Sequence, residues 1–111
     1  YRTLYGAFAS QALFNSARHL KPDTLQGIML GIIARMTGQR KADIHPTRHE
    51  APYTIYEFDI DTTAQQGDRL SISIRILTQV VRDLGEIYNL RRCGIIVRGI
   101  HVTVTIPKNN L

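Results

Sequence analysis

The chain has 111 residues, 43% of them hydrophobic, which suits one domain with a core of its own and excludes both a second domain and a disordered chain. Its formal net charge is +5 and Cys93 is its single cysteine, so an intrachain disulfide and a zinc site built on paired cysteines are excluded. No stretch is apolar for the ~20 residues a membrane-spanning helix needs.

In chain order, residues 2–19 carry Leu4, Tyr5, Phe8, Leu13, Phe14 and Ala17 with alanines between, a spacing that predicts an amphipathic helix. The break at 21–23, Lys-Pro-Asp, offers Asp23 as N-cap for a second helix. Over 24–37 the apolar residues Leu25, Ile28, Met29, Ile32, Ile33 and Met36 recur at helical spacing, and Gly38 is a natural stop. These two elements predict an N-terminal helical hairpin. Residues 39–52 read as loop, with Pro46 and Pro52.

Alternation follows. Tyr56, Phe58 and Ile60 share one strand face, and Glu57, Asp59 and Asp61 the other. Leu70, Ile72, Ile74 and Ile76 alternate with Ser71, Ser73 and Arg75, which predicts an antiparallel partner strand. Phe58 would face Ile74, Ile60 would face Ile72 and Glu57 would face Arg75. From Leu77 the period becomes helical through Val80, Val81, Leu84, Ile87 and Tyr88, with Gly85 a weak point. Residues 94–106 alternate again as one strand, with Gly99 marking a bulge. The expected fold is α+β: an N-terminal helical hairpin followed by β-β-α-β, its helices packed on one face of a small antiparallel sheet. It would fill residues 1–111 as a single domain, trimmed or processed from a longer chain, since the first residue is Tyr1 rather than methionine.

No constellation of catalytic residues stands out. His45 and His49 are four apart, but Pro46 opposes the helix that would put both on one face, and no third ligand is evident. Ser71 and Ser73 lack partners for nucleophilic catalysis. Cys93 lies beside Arg92, which would lower its pKa if it were exposed. The expectation is a non-enzymatic protein without metal or cofactor.

The basic residues are more informative. Of 14 lysines and arginines only Lys21, Lys41 and Lys108 are lysine, and arginine favours bidentate contact with phosphate or carboxylate. Arg35, Arg40, Lys41 and Arg48 cluster around the end of the second helix and the loop. Arg82, Arg91, Arg92 and Arg98 form another group. Both suit an anionic partner, nucleic acid or a phospholipid surface. At 91–92 the arginines also suit a helix C-terminus with no ligand at all. The carboxylates Glu57, Asp59 and Asp61 form a strip that a basic patch on a second copy would complement, and Met29, Leu30 and Ile33 widen the apolar surface of the second helix. These six residues are the expected self-association surface.

The segment "RILTQVVRDLGEIY", residues 75–88, resembles part of the matrix proteins of rhabdoviruses. There an RIL triplet and an EIY triplet bracket a helix at similar spacing, and a glycine-containing apolar strand follows, as "GIIVRGIHVTVTI" does here. The family has helix at the equivalents of Arg75 and Ile76, and its proline-rich budding motif is absent from this chain. The resemblance implies a small basic protein that self-associates, binds nucleocapsid and touches anionic membrane. It carries over no individual residues.

The combined expectation is an assembly or binding domain, self-associating or partner-binding, that meets an anionic partner through arginines; the resemblance implies a viral matrix-type structural protein as one version of it. It would work in a reducing, intracellular setting, the cytoplasm or a virion interior. The alternatives are a sequence-nonspecific nucleic-acid-binding domain and a metal-dependent phosphoryl-transfer or hydrolytic enzyme using Glu57, Asp59 and Asp61 or the histidine loop.

Overall fold

A computed structural model of the chain describes residues 20–64 and 67–108. Its elements, in order, are α1 (Pro22–Thr37), a short 3-10 turn (Lys41–Asp43), β1 (Arg48–Glu50), β2 (Tyr53–Asp59), α2 (Asp68–Ile87), β3 (Gly94–Arg98) and β4 (His101–Pro107). The helix expected over 2–19 lies outside the described residues.

α1 forms where its apolar stripe predicts. Pro22 occupies the first turn, where its fixed φ suits a helix and its missing N–H costs nothing. Lys21, not Asp23, is the N-cap; Asp23 sits inside the first turn, where its charge favours the helix dipole. Leu25, Met29, Ile32, Ile33 and Met36 are at most 1% exposed, each worth about 1.5–3 kcal/mol of transfer from water. Gly38 ends the helix at φ 73, and its N–H donates to the Ala34 carbonyl (2.9 Å). Within the expected loop 39–52, Arg48–Glu50 forms a short strand.

The strand expected over 70–76 is not formed. Those residues open α2, which begins at Asp68 after Gly67 in a backbone conformation (φ 58, ψ −132) suited to glycine. The reason is a stronger competing period. Ser73, Ile76, Leu77, Val80, Val81 and Leu84 are all buried, the i, i+3, i+4, i+7, i+8, i+11 pattern of one helix face. Ile72, which a strand would have buried, is 37% exposed. α2 ends in a Schellman motif: Leu90 N–H donates to the Gly85 carbonyl (2.8 Å), Asn89 N–H donates to Glu86 (3.1 Å), and Asn89 takes φ 56.

The single strand expected over 94–106 is a hairpin. Arg98 pairs with His101 across a two-residue turn, and Gly99 (φ 60) takes its first central position. Gly99 is thus a turn residue, not a bulge. The sheet order is β1-β2-β4-β3, and each neighbouring pair is antiparallel. β2 pairs with β4: Thr54 faces Ile106, Tyr56 faces Val104 and Phe58 faces Val102. Residues Ile72, Ile74 and Arg75, expected opposite β2, belong to α2 instead.

The class is therefore α+β with an antiparallel sheet, but the expected order is corrected. The described chain runs helix, two strands, helix, two strands, not a helical hairpin followed by β-β-α-β. α1 packs on α2, and α2 packs on β3 and β4. The core joins α1 and α2 to Tyr56, Val102, Val104 and Ile106 of the sheet. Pleating sends the alternate residues of β2 and β4 to the other face.

Candidate functional site

That outer face carries the charges. β1 brings Arg48 beside β2, where its guanidinium donates both to Glu50 and to Glu57. In the β2–β4 ladder Asp59 lies opposite His101 and Glu57 opposite Thr103. The His101 ring is held between the two carboxylates, with Nδ1 2.9 Å from Asp59 Oδ1 and Nε2 3.3 Å from Glu57 Oε2. Each ring nitrogen faces a group that only accepts hydrogen bonds, so the doubly protonated imidazolium is favoured. Asp59 first and Glu57 second push the His101 pKa up. His101, and then Arg48, hold the Glu57 carboxyl below its ordinary value.

The strip of three carboxylates expected here is broken up. Glu57 and Asp59 are engaged within the molecule. Asp61 has left the strand, and its Oδ1 accepts from the Thr63 N–H (2.9 Å) and hydroxyl (2.6 Å) while its own N–H donates to the Met36 carbonyl (2.8 Å). Met29 and Ile33 are 0% exposed in the core, and Leu30 is half-buried against it. The apolar side of α1 is therefore used inside the fold rather than offered to a second copy. His49 lies on β1 with Nδ1 3.0 Å from the Thr54 hydroxyl, while His45 is exposed before the strand. Among the described residues no group of three histidine, cysteine or acidic side chains is arranged to hold a metal ion.

The eight predicted basic residues sort by partner. Arg40 is paired with Asp43 (2.8 Å) and Arg48 with its two glutamates. Arg92 lies over the Tyr53 ring, 5.7 Å from its centre. Arg35 and Lys41 line a shallow cleft at the end of α1, with Gly38, Gln39 and Ala64. Arg98 is exposed at the β3–β4 turn. Arg82 and Arg91 line a second cleft, about 360 Å³, formed where α2 turns into β3, together with Glu86, Asn89, Leu90 and Cys93. Both are exposed, and neither has a carboxylate within ion-pair distance among the described residues.

The corrected helix adds Arg75 to this group. It lies seven residues before Arg82 on a continuous α2, hence on the same helix face, and is exposed. The strand reading hid that spacing, although residues 75 and 82 are a heptad apart in the sequence. The Schellman bonds already occupy the Gly85 and Glu86 carbonyls, which lessens the helix end's demand for arginine. Cys93 is partly buried, so the condition for a lowered pKa is not met: burial pushes its thiol up to about 11. It is protonated and unreactive at neutral pH.

No protein family, curated protein or solved structure matches the chain. No described helix is long and apolar enough to cross a membrane.

Proposed function

We propose that this is a non-enzymatic binding and assembly domain that holds a phosphate-rich polyanion against the arginines of α2 and the turn after it. The observation that carries this reading is the convergence of Arg82 and Arg91 on one cleft, both exposed and, although Glu86 also lines it, neither in an ion pair among the described residues, with Arg75 on the same helix face. The guanidinium groups that are neutralised internally, Arg40 and Arg48, lie elsewhere. Arginine forks suit phosphate oxygens, and binding of this kind is electrostatic and blind to sequence. A viral matrix-type structural protein is one form of this reading, resting on the resemblance at residues 75–88. An intracellular, reducing setting goes with it, since Cys93 has no partner sulfur.

The test is fluorescence anisotropy with a labelled single-stranded oligonucleotide, and co-sedimentation with anionic vesicles, across a salt series. Three arginine–phosphate contacts on a single strand give a slope of log affinity against log salt of about −2, and the double variant Arg82→Ala/Arg91→Ala leaves about −0.7. An unchanged slope and affinity in the folded double variant would sink the proposal. The two probes distinguish a nucleic-acid strand from a lipid surface as the source of phosphate.

A further inference from the structure

The two edges of the sheet are unlike. β1 is three residues long, carries Arg48 and Glu50, and lies between Pro46 and Pro52. Shortness, charge and flanking proline all oppose pairing with another strand. β3 is longer, has no flanking proline, and carries its single charge, Arg98, only at its end. It runs five residues in unbroken register with β4, from Gly94 opposite Thr105 to Arg98 opposite His101. Its only described strand neighbour is β4. Ile96 is 57% exposed and Val97 39%, and Ile100 in the adjoining turn is 51% exposed. Ile96 and Val97 point to opposite faces of the strand, so the open edge is apolar on both of its faces.

We propose that β3 pairs antiparallel with β3 of a second copy, about a two-fold axis through Ile96, joining two four-stranded sheets into one of eight. The order Gly-Ile-Ile-Val-Arg complements itself under that operation. Ile96 faces Ile96, Ile95 faces Val97, and Arg98 faces Gly94. The one charge on the strand thus meets a residue without a side chain. Neighbouring two-fold registers are worse. One slip sets Arg98 against Arg92 of the second copy, and like charges directly opposite are destabilising. The opposite slip runs Ile95 against Gly99, which is in the turn rather than the strand. Only registers that pair residues of the same face keep the helices of both copies on one side. The contact is isologous and closes at a dimer.

This inference gives the assembly part of the proposed function a surface, and it stands apart from the arginine cleft. Analytical ultracentrifugation tests it, with the unmodified chain expected to dimerise reversibly. Ile96→Lys and Ile96→Glu each raise the dimer dissociation constant by about tenfold or more, because like charges then face each other at the axis. An equimolar mixture of the two restores association, since lysine then faces glutamate. Ile72→Lys, on the exposed face of α2, dimerises like the unmodified chain. A strict monomer at about 1 mM, Ile96 variants that dimerise normally, or a mixture that does not recover would each overturn the proposal. Should either Ile96 variant lose its circular dichroism, hydrogen exchange on the unmodified chain decides. The amides of Ile95 and Val97, which point away from β4, must gain protection with concentration, and their failure to do so counts against the pairing. Anion binding by Ile96→Lys separates the two ideas: if it is retained while dimerisation is lost, the cleft works without the edge.

Discussion

At the scale of single residues, Gly85 shows how a locally unfavourable choice is required by a distant contact. In the sequence it reads only as a weak point in a helix. In the fold, a Cβ there would lie 2.7 Å from the Leu90 carbonyl oxygen and 2.8 Å from Cys93 Cβ. The first of these is backbone and cannot swing away. Gly85→Ala is therefore expected to destabilise by about 1–3 kcal/mol in urea or guanidinium unfolding, despite alanine's better helix propensity; equal or greater stability would contradict this packing. His101 supports a second expectation. Its raised pKa means a stability contribution fully present below the ordinary histidine value of 6.5 and lost as pH rises through the raised value. Glu57 works in the other direction, its contribution present above 4.5 and lost as pH falls through the lowered value. The network therefore contributes most between 4.5 and 6.5. Thermal melts of the unmodified chain and His101→Gln between about pH 6 and pH 9 should converge as pH rises, and parallel curves would refute the coupling. Exposed pairs are screened, so the convergence should also shrink with added salt.

At the scale of elements, α1 was readable because no other period competes with its stripe. α2 was harder. Leu70, Ile72, Ile74 and Ile76 alternate as a strand does, and branched side chains accept either geometry. Ser73 decides the matter, because it takes a place on the buried face that an apolar residue would usually announce. A single-residue comparison separates the two readings. In the helix, Leu77→Ala should cost about 2–5 kcal/mol, whereas Ile72→Ala should cost no more than about 0.5 kcal/mol. Comparable losses at both positions would restore the strand. The β3–β4 hairpin escaped detection for another reason. A two-residue turn hardly interrupts alternation, so Gly99 looks like an irregularity within one strand. The Arg75–Arg82–Arg91 group was missed as a consequence of the strand assignment. Arg82 and Arg91 were named as candidates from their positions in the sequence, and Arg75 was the member left out.

At the scale of the whole molecule, the pairing of β2 with β4 was not legible, since proximity along the chain favoured the nearest alternating segment and α2 intervenes between the true partners. The α+β class needed only the two periods and survived the errors in element order: a strand that is helix, one strand that is a hairpin, and a loop that holds β1. The sheet order has one more consequence. β4 comes last among the described elements in chain order, yet it holds β2 on one side and β3 on the other. A ribosome therefore delivers both flanking strands before the strand that joins them. Until residue 107 leaves the exit tunnel, β2 has only the three-residue β1 to pair with, and the apolar faces meant for β4 stand open to chaperones. Sheet closure awaits the late arrival of its central strand, so β2 and β3 are joined only once β4 is available.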